Sequence, residues 1–214
     1  MLTVAPFLGF LVLACAPKRS AISGVSIACP AHRPQVSWPI GVAAKPVRVW
    51  IAAASDSRDG WAHEGTRRLD SVVDLWRRVG LPLKLVRAQN PREADVLILV
   101  ARSLPLDSAE IDGKYRAGLT RLTYKDDGVL IKAHIILGEQ SPTGAPYSAN
   151  DQVATLAHEF GHALGLPHSA HPQSLMAAKP LVETITRHDV QLAQATYVRQ
   201  DCAALAGPLT ALRR

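Results

Sequence analysis

The chain has 214 residues, 48% of them hydrophobic, enough for one globular domain with a sizeable core. Its net charge of +6 includes no basic run interleaved with aromatics, so nucleic-acid binding is not indicated. No internal repeat or low-complexity tract is present, which sets aside solenoids and fibrous chains.

Residues 1–16 are mostly apolar, carry no charged side chain and are too short for a comfortable membrane span. They read as the hydrophobic region of a secretion signal. The run V-L-A-C ending at Cys15 approximates a lipobox, so a lipoprotein signal with Cys15 lipidated is the alternative. Either predicts export, whether periplasmic, secreted or lipid-anchored at the cell surface, with membrane contact only through such an anchor. Residues 17–45 are rich in Pro, Ala and Ser and read as a linker or N-terminal strap. The folded domain is expected over 46–202 and a tail over 203–214.

Residues 46–52 alternate like a strand. A helix is predicted from an N-cap at Ser57 or Asp59 to about Val79. Its core stripe is Trp61, Leu69, Val72, Val73, Trp76 and Val79, and Gly80 stops it. Strands follow at 83–86 and 95–101. The unbroken apolar run V-L-I-L-V at 96–100 predicts a strand buried on both faces. This order of strand, helix, strand and strand indicates a largely parallel sheet. Residues 102–117 read as an irregular loop. The runs at 118–124 and 129–137 are joined across Asp127-Gly128, a strong signal for an antiparallel hairpin.

After a loop at 138–149, a helix capped by Asn150 or Ser148 is predicted from about Asp151 to Leu164. On it, His158 and His162 are four apart and so project from one face, where two imidazoles can grip one zinc ion. Gly165 lets the helix end in a left-handed turn that swings His168 back to the same metal. Three nitrogen ligands leave the fourth tetrahedral position open, the pattern of a catalytic zinc. Glu159, beside the metal but poorly placed to bind it, suits a base acting on water. Thr186 and Asp189 resemble a capping box for a last helix, on which Tyr197 is a packing residue.

The run H-E-F-G-H-A-L-G-L-P-H-S at 158–169, with Met176 downstream, resembles the signature of metzincin zinc peptidases, and Ser169 places it nearest the matrixin branch. The resemblance implies an α/β (α+β) fold: a five-stranded, mostly parallel twisted sheet with one antiparallel edge strand, three helices, and a zinc cleft between N- and C-terminal subdomains. It implies one catalytic Zn2+ held by His158, His162 and His168, with Glu159 as general base and Met176 as the Met-turn residue beneath the metal. It makes Gly118, Leu119, Thr120, Arg121 and Leu122 the edge strand that an extended peptide would join, and residues 177–185 a wall of the pocket beyond the cut. Hydrolysis of internal peptide bonds by a monomer is the implied activity, with protein or peptide as partner.

The resemblance also bears on the cysteines. If Cys15 leaves with the signal or carries lipid, Cys29 and Cys202 remain as a pair. In matrixins the domain start packs near the last helix, which favours a Cys29–Cys202 disulfide; the alternative is a latency cysteine at Cys29, whose surroundings lack that switch's arginine and glycine. Matrixin loops hold calcium, but around Asp112, Asp126 and Asp127 no calcium spacing appears, so calcium is not indicated. His134 stands where matrixins can use a second zinc, yet the other ligands are missing. His32, His63, His171 and His188 read as surface or capping residues. Ala178 replaces the proline matrixins carry two residues after the methionine, and substrate choice is unreadable. Two rival readings are an exported non-catalytic peptide-binding protein on the same fold and a cell-wall peptide amidase.

Overall fold

The computed structural model describes residues 36–41, 43–53, 61–104, 110–111, 114–115 and 117–205. The signal with Cys15, the strap up to residue 35 with Cys29 and His32, the cap candidates Ser57 and Asp59, Asp112, and the tail beyond 205 lie outside the described residues.

The strands are β1 (Val47–Ala53), β2 (Leu85–Arg87), β3 (Val96–Ala101), β4 (Glu110–Ile111), β5 (Lys114–Tyr115), β6 (Gly118–Tyr124) and β7 (Leu130–Gly138). The helices are α1 (Trp61–Arg78), α2 (Ala149–Ala163) and α3 (Arg187–Leu205). Five strands form one sheet in the order β2-β1-β3-β7-β6. β1 pairs in parallel with β2 and β3, and β3 with β7, whereas β6 is antiparallel to β7 at the edge. The parallel pairs and the antiparallel edge strand agree with the fold implied by the resemblance.

Alternation decides what the sheet buries. Val47, Val49 and Ile51 of β1, Val96, Ile98 and Val100 of β3, and Ala133, Ile135 and Leu137 of β7 share one core with Leu69, Val72, Val73 and Trp76 of α1 and Leu156, Ala157 and Phe160 of α2. The expectation that β3 is covered on both faces is not met: Leu97 is half-buried and Leu99 is 37% exposed. An apolar run reports that a strand tolerates burial, and the core gathers on the other face. The loop predicted over 102–117 also contains order, since β4 and β5 pair as a two-residue ladder.

The hairpin between β6 and β7 turns at Gly128, whose φ of 85° explains the glycine, and Asp127 Oδ1 accepts the Val129 amide at 3.0 Å. Residues 36–38 lie against this hairpin and the end of α2. Ser37 donates its amide to Gly128 O at 3.1 Å and accepts the Leu130 amide at 2.9 Å. Buried Trp38 donates Nε1–H to Ala163 O at 2.8 Å. Among the described residues no helix is long and apolar enough to cross a membrane.

Candidate metal centre

Helix α2 starts at a capping box, in which the Ser148 hydroxyl accepts the Asp151 amide and the Asp151 carboxylate accepts the Ser148 amide, each at 3.1 Å. Ser148 is thus the cap of the two candidates. About three to four turns later the helix brings the Nε2 atoms of His158 and His162 to 3.1 Å from each other. It ends where Gly165, at a φ of 90°, donates to His162 O (2.8 Å) and Leu166 donates to Gly161 O (3.0 Å). Glycine is required there twice over, because a Cβ would also lie 2.2 Å from Val36 O. The turn returns the chain so that the His168 ring sits 4.7 Å from that of His162 and 5.5 Å from that of His158. One ring nitrogen from each of the three lies within 4.8 Å of the others.

The outer nitrogens fix the chemistry of the inner ones. His158 Nδ1 is 2.6 Å from Leu175 O, and His162 Nδ1 is 2.8 Å from Leu166 O. A carbonyl oxygen only accepts, so each Nδ1 carries the hydrogen and each neutral ring presents a lone pair at Nε2. Two lone pairs facing each other at 3.1 Å repel unless a cation lies between them. Nitrogen ligands at about 2.0–2.1 Å from a tetrahedral zinc would be separated by roughly 3.3 Å. The donor set therefore fits zinc.

Behind the imidazoles lies the turn at Ser174–Met176. Met176 is fully buried, and a Cβ on Gly161 would come to 2.3 Å from Met176 Sδ and 2.8 Å from the Trp76 ring. The helix thus passes over the methionine with only a hydrogen between. Ser169 donates its amide to Met176 O at 2.7 Å, tying the segment after His168 to the same turn.

Asp189, read from the sequence only as a cap, holds that turn from below. Its carboxylate accepts the amides of Leu175 (3.0 Å), Met176 (2.9 Å) and Thr186 (2.7 Å) and the hydroxyls of Thr186 (2.8 Å) and Ser174. Burial alone would raise its pKa. The bonds from Ser174, Met176, Thr186 and Leu175 outweigh that, holding the carboxyl below its ordinary range. No signal in the sequence separates such a hub from an ordinary capping residue.

Glu159 is buried, at 8% exposure, and the Thr120 hydroxyl is 2.6 Å from its Oε2. Along β6 the side chains alternate. Gly118 and Thr120 face α2 and Glu159, and half-buried Leu122 shares their face, while half-buried Leu119 and exposed Arg121 take the opposite one. Cys202 belongs to α3, but its side chain, like that of His63, lies outside the described residues. His134 is exposed on β7. His171 and His188 stack on each other with ring centroids 3.3 Å apart, a pairing the sequence did not suggest. Tyr197 is buried and donates its hydroxyl to Leu164 O at 2.6 Å, a packing role.

A family model described as matrixin matches residues 54–198, which takes in all of these elements from α1 to Tyr197. The chain belongs to the matrixin family. Among its relatives, human matrix metalloproteinase-15 is 29% identical over 127 residues, covering 55% of this chain and 18% of that protein. Mouse matrix metalloproteinase-16 is 30% identical over 121 residues, 53% of this chain and 20% of its own length. Human matrix metalloproteinase-20 is 30% identical over 139 residues, 63% and 28% respectively. The match spans well under a third of these relatives' lengths. As a family matrixins are zinc metallopeptidases, and among this chain's described residues His158, His162 and His168 form a group able to hold a metal ion.

Proposed function

We propose that the chain is an exported, monomeric zinc endopeptidase cutting internal peptide bonds in proteins or peptides. The observation that carries this reading is the convergence of three imidazoles, two of them with Nε2 lone pairs 3.1 Å apart, beside a buried carboxylate. Zinc held by His158, His162 and His168 would act as a Lewis acid on the scissile carbonyl and the attacking water. Glu159 takes a proton from that water and delivers it to the leaving amine nitrogen. Buried and hydrogen-bonded, its carboxylate is held in one place before the substrate arrives. The Leu175 and Leu166 carbonyls keep the first two imidazoles in the tautomer that offers Nε2. An extended substrate adds to the outer edge of β6, the last strand of the sheet among the described residues, over Gly118–Leu122, where main-chain pairing sets its register with little demand on side chains. Residues 1–16 would serve as the export signal; in the alternative reading the chain is cut before Cys15 and a lipid on that cysteine is its membrane attachment.

The test is cleavage of a proteome-derived peptide library by the zinc-loaded protein, with and without a chelator. Chelator-sensitive cuts are expected in the wild type. Glu159→Gln should keep zinc and lose about 10²–10⁴-fold in turnover, while His162→Ala should lose the metal by atomic absorption. Equal turnover in the Glu159→Gln variant refutes the assignment. Capture of peptides without any cut would support a binding protein instead, and activity confined to peptidoglycan an amidase.

A further inference from the structure

We infer that Thr120, on the edge strand, is the positioning residue for the Glu159 carboxylate, so that one strand registers both the substrate and the proton acceptor; this rests on the peptidase reading above. The Thr120 hydroxyl lies 2.6 Å from Glu159 Oε2 and 3.0 Å from the Glu159 carbonyl oxygen. A hydroxyl has one proton to give, and the shorter contact, assisted by the carboxylate charge, takes it.

On its other side the carboxylate lies against the strand at Gly118. A Cβ on Gly118 would meet Glu159 Cγ at 2.6 Å, Thr155 Cγ2 at 2.7 Å and Glu159 Oε1 at 3.1 Å. The carboxylate is therefore pressed against bare strand on its Oε1 side and hydrogen-bonded on its Oε2 side. Gly118 and Thr120 are two apart, so the pleat points both positions at α2. The strand itself cannot drift, since Thr120 is in register with Ile135 and Gly118 with Leu137, both buried on β7. A long, flexible glutamate is thereby fixed by a short, β-branched side chain on a paired strand.

A positioning role makes a specific kinetic demand. Loss of the hydroxyl should lower the rate of proton transfer and leave substrate pairing, which uses the strand backbone, unchanged. Thr120→Val keeps the shape and removes the donor, while Thr120→Ser keeps the donor and removes the methyl. With zinc-loaded protein and a peptide the wild type cleaves, Thr120→Val should lose about tenfold in kcat with KM and zinc stoichiometry unchanged, and Thr120→Ser should retain the wild-type kcat. A second readout needs no turnover. Thr120→Val should lower the Tm more in the wild-type background than in a Glu159→Ala background, where the hydroxyl keeps only the main-chain carbonyl of residue 159 as acceptor.

Equal kcat for Thr120→Val and wild type overturns the inference alone. So does a loss that Thr120→Ser shares, which would make the methyl the determinant, or a rise in KM at constant kcat, which would make Thr120 a substrate-binding residue. A wild type that cleaves nothing under any condition sinks the peptidase reading and this inference with it.

Discussion

The two halves of the histidine site are supported in different ways. The helix that carries His158 and His162 is held near its end by three separate aromatic donors: Trp76 Nε1–H to Ala157 O (3.0 Å), Trp38 Nε1–H to Ala163 O (2.8 Å) and Tyr197 O–H to Leu164 O (2.6 Å). Each comes from a different part of the chain and each buries a large apolar ring. The turn at Met176 instead gathers two of its main-chain amides and a hydroxyl on one carboxylate, Asp189, and the segment after His168 joins that turn through the Ser169 amide. Distributed support degrades by fractions when one part is removed. Concentrated support fails as a unit, because a single loss leaves several buried donors without a partner at once.

That contrast is broken most severely at Asp189. Asp189→Asn removes the charge that five donors address, and about 3 kcal/mol of stability should go with it, together with zinc affinity, since Leu175 O also orients His158. Thermal unfolding and zinc titration of the purified variant check both. The same carboxylate predicts a pH dependence. Its folded pKa lies below the ordinary 3.8, so the unfolded chain takes up the proton first. The stabilisation is complete above that ordinary value and drains away as pH falls through the lower, folded one. Denaturant midpoints of the wild type should fall on acidification below about pH 5, and those of Asp189→Asn should fall less, because the variant lacks this proton uptake. Parallel acid profiles would mean that other carboxylates carry the effect.

Gly161 tests the contact between the two halves. A methyl there meets Met176 Sδ at 2.3 Å and the Trp76 ring at 2.8 Å, so the turn or the helix must move. Alanine favours the helix by about 1 kcal/mol, whereas overpacking at a buried site costs about 1–3 kcal/mol. Gly161→Ala should therefore destabilise by about 1 kcal/mol net with zinc still bound, read from Tm on the loaded protein. A more stable variant would show that Met176 can yield without loss.

How much of this was legible depended on whether the cause was local. The three histidines, Gly165 and the Asp127-Gly128 hairpin follow from spacing along one helix or one turn, and the parallel sheet follows from the order of apolar runs. Asp189 and Thr120 could be placed on their elements and no further. What each does depends on a partner 13–15 residues away for Asp189 and 39 residues away for Thr120, and periodicity carries no such information. Gly118 and Thr120, two apart on a strand predicted to border the cleft, did hold a clue: small residues on one face admit a close neighbour. The V-L-I-L-V run misled because an apolar sequence sets no lower limit on exposure, and Leu99 is 37% exposed. Trp38 was hidden by its prolines, which mark the absence of regular structure but say nothing about burial.

Trp38 also gives the gentlest test of distributed support. Trp38→Phe retains an aromatic ring in a buried position and removes the indole donor to Ala163 O together with part of the buried ring volume. The Tyr197 hydroxyl still reaches Leu164 O one residue on, and Trp76 still holds the preceding turn. The expected loss is about 1 kcal/mol, a fall of about 2–4 °C in Tm, with zinc stoichiometry and cleavage rate unchanged. A loss of metal from Trp38→Phe would mean that residues 36–38 hold the histidine turn directly, through the close approach of Val36 O to Gly165, and that this half of the site leans on one segment as heavily as the other leans on Asp189.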